Sequence, residues 1–279
     1  MYSMDYRMKM EKHFSYKSPH QIWRILISDT EKLILETRDV KTKEVFFHCF
    51  DILDGGKIFS DFQLEDKCWV GIEMVHKDII YFHKFPKPDL PIHAGIIAFD
   101  LASQKILWTN TELSFLFAYQ DKIYGFKQGF EERYFYELDY LDGKLTKEYE
   151  NDHVAINKLK NIASSAKDWG SYLYPEILKS NSDEKINRLI NQQTGKNETV
   201  GEVEYNVYNS YLFFSYHSKV FENSLINKFF AVDLNSEKVV FSEILNANVT
   251  AMLTDSFFLY KNLLFLLREK NEVIVYKIE

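Results

Sequence analysis

Glycine and proline are scarce in this chain of 279 residues, with 10 and 5 copies. So few glycines leave no phosphate-cradling loop, and neither the P-loop nor the dinucleotide fingerprint occurs. Only two cysteines are present, Cys49 and Cys68. They make no disulfide framework and read as buried thiols of a reducing cytoplasm. No cysteine–histidine spacing fits a metal site, no serine sits in a nucleophile elbow, and neither a metal nor a cofactor is expected. Positive charge is in deficit: 34 Lys and Arg stand against 41 Asp and Glu, a net charge of -7. A nucleic-acid binder needs a basic face to displace counterions, so the charge argues against that class, and it gives no support for an anionic-membrane binder. The longest apolar stretch, Asn262-Leu263-Leu264-Phe265-Leu266-Leu267, is far too short to cross a bilayer. Met1 to Phe14 carries Asp5, Arg7, Lys9, Glu11 and Lys12 without the apolar stretch of a secretion signal. The expectation is a soluble, acidic, cytoplasmic protein.

Aromatic residues are plentiful. With 23 Phe and 18 Tyr, and 46% hydrophobic residues overall, the chain has material for a large core, and flat, stiff side chains favour sheet over helix. Four times a strand-like run ends in an aspartate, followed by a short polar turn, a lysine and a second run. The copies are Phe50-Asp51-Ile52-Leu53-Asp54-Gly55-Gly56-Lys57-Ile58-Phe59, Phe99-Asp100-Leu101-Ala102-Ser103-Gln104-Lys105-Ile106-Leu107-Trp108, Leu138-Asp139-Tyr140-Leu141-Asp142-Gly143-Lys144-Leu145 and Val232-Asp233-Leu234-Asn235-Ser236-Glu237-Lys238-Val239-Val240-Phe241. From Asp51 to Asp100 and on to Asp139 the interval is one four-stranded propeller blade; from Asp139 to Asp233 it is a blade plus extra chain.

Strands are expected in five groups: 22–27, 33–38, 45–51 and 58–64; 69–75, 79–85, 95–100 and 106–111; 113–119, 123–127, 134–139 and 145–149; 202–208, 211–216, 228–233 and 239–244; and 249–254, 263–268 and 273–278. The last group is one strand short, and 13–17 could supply it, so that the two ends of the chain close one unit. The extra chain, 151–200, reads as a helical insertion. Ile156, Leu159, Ile162, Ala163, Ala166 and Trp169 recur at helical spacing behind the cap Asp152. A second helix runs from Ser182 towards Gln193, capped by Asn181 or Ser182 and stopped by Gly195, with Pro175 turning between the two. The fold expected is all-β: a single five-bladed β-propeller domain over 1–279, with the insertion between blades three and four. Two packed β-sandwiches are the alternative, which leaves the recurring module unexplained.

Asp, two residues, a small or polar pair, Lys, an aliphatic and an aromatic residue resembles the repeat of propellers related to the quinoprotein (PQQ-like) dehydrogenases, where the segment commonly reads Asp-x-x-Thr-Gly-Lys-x-x-Trp. Asp100 to Trp108 is the closest copy; Asp51 to Phe59 has one extra turn residue, and the Asp139 copy lacks the aromatic close. The order of Ile22-Trp23-Arg24, Leu35-Glu36-Thr37-Arg38-Asp39 and Pro91-Ile92-His93-Ala94-Gly95-Ile96-Ile97-Ala98-Phe99-Asp100 also resembles an uncharacterised bacterial family of propeller-like proteins, over most of the chain outside the insertion. The resemblance implies a fold and no activity. The adjacent cysteines of the quinoprotein enzymes are missing, so quinone-dependent oxidation is not implied.

Candidate ligand-binding residues follow from chemistry out of place. Arg24, Glu36 and Arg38 put charge on strand faces where apolar residues are expected; they form an ion pair between neighbouring strands or present an arginine to an anion. Glu36 and Asp39 are the carboxylates that acid–base catalysis would use. Trp23 and Trp69 open the first strands of their groups and could stack a ligand, whereas Trp108 and Trp169 are packing. His83 and His93 flank the loop Phe85-Pro86-Lys87-Pro88-Asp89-Leu90-Pro91 and are expected to be solvated, the alternative being that they line a pocket or hold a metal. No catalytic constellation emerges. The expected function is therefore a non-enzymatic binding or protein-interaction module, with a protein partner or small polar ligand at the channel mouth or the insertion. The alternative is a hydrolase- or lyase-type enzyme acting on a small polar or carbohydrate-like ligand.

Overall fold

A computed structural model describes residues 10–87, 92–166, 170–195, 199–221 and 224–279. Trp169 and residues 88–91 of the proline loop lie outside them. Among the described residues the protein is all-β with two short helices, and the chain divides into two compact units. One is continuous, His20–Asp168; the other joins Met1–Pro19, which holds strand β1 (Met10–Lys17), to Trp169–Glu279.

The continuous unit opens with an antiparallel meander of β2 (Gln21–Ile27), β3 (Lys32–Arg38), β4 (Val45–Asp51) and β5 (Lys57–Phe62). Two more meanders follow: β6 (Val70–His76), β7 (Ile79–Lys84), β8 (Ala94–Asp100) and β9 (Lys105–Asn110), then β10 (Ser114–Tyr119), β11 (Lys122–Gln128), β12 (Arg133–Asp139) and β13 (Leu145–Glu150). These two are not separate sheets as expected. A single parallel pairing of Ser114 with Gly95 joins them into one eight-stranded sheet. The join needs a close approach: Gly95 sits at φ 74°, and a Cβ at Gly125 would lie 3.0 Å from the Ser114 carbonyl oxygen. Strands β3, β4, β7 and β8 are apolar in sequence because both their faces are covered. Ile34, Phe47, Cys49, Ile72, Phe82 and Phe99 from the first two meanders form one buried cluster. Helix α1 (His153–Ser165) is capped by Asp152, which accepts from the Ala155 amide at 2.9 Å, and lays Ile156 and Ala163 against Phe117, Tyr124 and Phe135.

In the discontinuous unit, β14 (Tyr172–Leu173), β15 (Glu176–Ile177) and α2 (Glu184–Thr194) precede a long meander of β16 (Thr199–Tyr208), β17 (Tyr211–Phe221), β18 (Ser224–Asp233) and β19 (Lys238–Val249). The last hairpin strands are β20 (Phe257–Tyr260), β21 (Leu263–Arg268) and β22 (Glu272–Ile278). Against β22 runs β1, antiparallel from Met10↔Ile278 to Lys17↔Glu272. Residues 13–17 thus do complete the last group. Two expectations need correcting here. The strand at 249–254 does not form: β19 extends to Val249, and the group's first strand is the later, shorter β20. Nor is 151–200 purely helical, because β14 pairs with β20 and β15 with β16, each adding a fifth strand to a sheet. Asp183, not Asn181 or Ser182, caps α2, accepting from the Lys185 and Ile186 amides, while Gly195 ends it.

The recurring module has a common stereochemistry. In all four copies the aspartate carboxylate accepts a backbone amide two or three residues on: Leu53, Ser103, Leu141 and Asn235, at 2.8–2.9 Å. Each copy then places one residue in the left-handed region, Gly55, Gln104, Gly143 or Glu237. Aspartate bonds its own turn readily, which is why it recurs at this position. At Gly143 a side chain is excluded outright, since φ is 68° and a Cβ would meet the Trp108 ring at 2.6 Å.

Candidate functional site

Strand β6 is the edge of the eight-stranded sheet, and its outward backbone groups have no strand partner there. Side chains of the first meander take that place at Ile72. Glu36 Oε2 accepts the Ile72 amide at 2.9 Å, and Arg24 Nη1 donates to the Ile72 carbonyl. The sequence puts charge into β2 and β3 because those charges stop the exposed edge of the next meander, a standing liability of sheets. Glu36 is fully buried. Its Oε1 receives Nε of Arg38 at 2.8 Å and Nη2 at 2.6 Å, which neutralises a carboxylate that water cannot reach. The pair lies along one strand, two residues apart, and not between neighbouring strands as expected.

Held this way, the Arg38 guanidinium lies over the Trp23 ring, 4.5 Å from its centroid, and Trp23 is 57% exposed. Arg38 Nη1 has no partner among the described residues. The other side of Arg38 faces Gly71: a Cβ there would sit 3.3 Å from Arg38 Nη2, 2.9 Å from His83 Cε1 and 3.0 Å from His83 Nε2. Glycine in a strand interior, normally a weakness, here permits that approach.

Beyond Gly71, the rings of His83 and His93 stack with centroids 3.6 Å apart and planes 6° from parallel, and Phe85 packs edge-on against both. Glu73 Oε1 receives His93 Nδ1 at 2.6 Å and lies 3.2 Å from His83 Nδ1. That second approach is an ion-pair distance without hydrogen-bond alignment, so neither ring nitrogen of His83 has a hydrogen-bond partner. The expectation that His83 is solvated is wrong: it is 1% exposed, because β7 is covered on both faces over its first five residues. Burial, only partly offset by the neighbouring Glu73, holds the His83 ring below the ordinary imidazole range. For Glu73 burial pulls upward, yet the close approach of the His83 and His93 rings, with the His93 hydrogen bond, leaves it lowered and ionised.

Six of the eight candidates therefore meet in one connected patch: Trp23, Arg24, Glu36, Arg38, His83 and His93. Asp39 and Trp69 do not join it. Asp39 accepts the Lys41 and Thr42 amides of its own turn and faces His20 at 3.4 Å. Trp69 is 42% exposed and held at φ 58°, an uncommon backbone for a large side chain; its carbonyl anchors the Phe85 amide at 2.7 Å. Glu73 and Gly71 escaped the sequence reading. A carboxylate inside Val70-Gly71-Ile72-Glu73-Met74-Val75 and a glycine in a strand were the available signals.

In the discontinuous unit, Ile177, Glu202, Glu204, Ser215, His217 and Met252 line a small cavity of about 50 Å³. Glu204 accepts the Asp255 amide at 2.9 Å and the Ser215 hydroxyl at 3.2 Å, and burial raises its carboxyl above the usual range. His217 Nε2 accepts the Leu253 amide at 3.2 Å, and burial lowers its ring.

Residues 27–108 match a family model described as a domain of unknown function, DUF4905. No curated protein matches the chain. Among solved structures, a DUF4221 family member from Bacteroides vulgatus is 8% identical, with 98% of each chain covered and a TM-score of 0.33. The uncharacterized protein lmo1340 from Listeria monocytogenes is 13% identical, over 89% of this chain and 75% of that one, at 0.32. A Dos1 propeller is 10% identical, over 92% and 67%, at 0.33. At such scores the superposition fixes neither fold nor function.

Proposed function

We propose that this chain is a non-enzymatic binding module, built as a single five-bladed propeller of the cytoplasm, whose recognition surface is the Trp23–Arg38 ledge. The blades would be the four meanders together with the terminal group β20–β22 and β1, whose shared Asp-turn-Lys module in four copies supports a repeated architecture. One observation carries the binding reading: an exposed tryptophan face lies under a guanidinium whose position is set by a fully buried carboxylate and whose Nη1 is unspent. Tryptophan and arginine are the residue types that dominate binding energy at interfaces, and a guanidinium held in advance loses little freedom on contact. Charge on the arginine and a flat ring beside it suit a planar or extended ligand bearing a carboxylate or phosphate, whether a small molecule or an acidic segment of a partner. Glu36 does not supply acid–base catalysis in this reading, since it is sealed and fully engaged.

A fluorescence-detected screen of carboxylate- and phosphate-bearing ligands and acidic peptides, on wild type and Trp23→Ala, tests this. Binding is expected in the wild type and weaker by at least tenfold in the variant. Ligands that bind both proteins equally, or no binder at all, would refute it. A second reading, an enzyme of hydrolase or lyase type, has one observation in its favour: the raised carboxyl of Glu204 in a small cavity that Ser215 and His217 also line.

A further inference from the structure

We infer that Glu73, His83 and His93 form a binding site for one divalent transition-metal ion of the zinc class. One donor atom from each residue falls within 4.8 Å of the other two. The three come from consecutive strands and their flanks: Glu73 from β6, His83 from β7 and His93 from the residue before β8. A meander thus brings together side chains that are ten residues apart in sequence at each step. Zinc-class ions favour imidazole nitrogen with carboxylate oxygen, and three protein ligands with one open position is a common arrangement; magnesium and calcium would ask for more oxygens.

Independent of proximity is the state of His83. It is 1% exposed and both its ring nitrogens lack hydrogen-bond partners. Buried polar atoms are nearly always paired, and a metal bond would engage one of the two orphaned nitrogens. The surroundings fit. Gly71 leaves no room for a side chain against the ring, Phe85 shields one side, and the Ser114 hydroxyl fixes the His93 carbonyl at 2.8 Å. Access is through His93, 33% exposed, and Glu73, 16% exposed.

The geometry also limits the affinity. Two imidazoles coordinate best when the ion lies in both ring planes, and planes 6° from parallel do not share a line through one ion. One ring must turn, and His93, the more exposed, has space to do so. For His93 Nδ1 to take the metal, the neutral ring changes tautomer: the proton shared with Glu73 Oε1 gives way to one on Nε2, and no net proton is released. Zinc binding here needs nothing from Trp23 or Arg38.

Calorimetric titration of the chelator-treated full chain with zinc chloride, in a non-coordinating buffer, tests the site. One saturable site per chain is expected, with affinity reduced at least tenfold in both His93→Ala and Glu73→Gln. Cobalt(II) added instead should give a visible absorption band of low-symmetry nitrogen–oxygen ligation that His93→Ala abolishes. His93→Ala serves as the main variant because its ring is exposed enough to remove without unfolding the sheet, which a circular dichroism spectrum checks. Absence of saturable zinc binding by the wild type overturns the inference. So does binding that survives unchanged in both variants, which would assign the ion to others among the 8 histidines.

Discussion

Replacing Glu36 by alanine probes the junction from which the patch is built. The carboxylate accepts two hydrogen bonds, from Arg38 Nε onto Oε1 and from the Ile72 amide onto Oε2, and Arg38 Nη2 adds an ion-pair contact to Oε1. Alanine leaves the buried Ile72 amide unpaired, a loss of about 1–3 kcal/mol. It also strips a buried charge pair of one member, which costs about 3–5 kcal/mol where the survivor stays buried. Arg38 is 25% exposed and can turn partly to water, so the second term falls below that range. The two overlap, and about 3 kcal/mol in total is expected. Glu36→Gln keeps an acceptor for the amide and should cost roughly half as much. Urea unfolding followed by tryptophan fluorescence and circular dichroism gives both values, with an unchanged denaturant slope expected. Arg38→Met completes a double-mutant cycle, in which the pair should show a coupling of about 1–3 kcal/mol. If Glu36→Ala costs less than about 0.5 kcal/mol, or the two changes simply add, the carboxylate is not the anchor described.

Other outcomes are equally checkable. His48 is fully buried, with Nδ1 accepting the Asp61 amide and Nε2 facing the Thr37 hydroxyl; burial lowers its pKa from 6.5 to about 4. The folded state therefore binds fewer protons than the unfolded one between those values, and up to about 3 kcal/mol of stability present above pH 6.5 is lost as pH falls to about 4; an NMR titration placing His48 near 6.5 would contradict this. Glu204 has the opposite sign: its raised carboxyl makes stability decline as pH climbs from 4.5 through the folded value, so Glu204→Gln should raise Tm at pH 8 while changing it little at pH 4. Gly143→Ala forces a side chain into the Trp108 ring at positive φ and should cost about 1–3 kcal/mol by urea unfolding. Burial pushes the Cys49 thiol up to about 12, so iodoacetamide at pH 8 should leave it unlabelled in native protein and label it in urea, as mass spectrometry of the peptides will show.

Much of the strand grouping is legible in the sequence because its punctuation is local. An aspartate that bonds its own turn announces four of the hairpins without reference to anything distant, and in two of them a glycine holds the position of positive φ. What depends on distant chain is not legible. The bridge from Ser114 to Gly95 that fuses two meanders rests on one close backbone approach. The strand misplaced at 249–254 has the right propensities, but its neighbours in space are decided by where β21 pairs. The same division holds in the patch. Charge in apolar strands marked Arg24, Glu36 and Arg38, whereas the Ile72 peptide that Glu36 and Arg24 bond lies 36 and 48 residues away. His83 looked solvated beside a loop because nothing local reveals that both faces of β7 are covered. Glu73 was missed because its partners lie across two hairpins.

Because β1 belongs to the same compact unit as everything after residue 169, with the other unit's whole length threaded between them, the two units differ in when they can be finished during synthesis. The continuous unit has all its strands once residue 168 has cleared the ribosome and can fold at once, as vectorial synthesis favours. Strand β1 must instead wait, unpaired, until β22 emerges. That interval sets a long loop to close before the terminal sheet gains its edge, a slow step by the cost of non-local contacts. A circular permutant that joins residue 279 to residue 10 and opens the chain near residue 168 would make both units contiguous, and should refold faster with its equilibrium stability little altered.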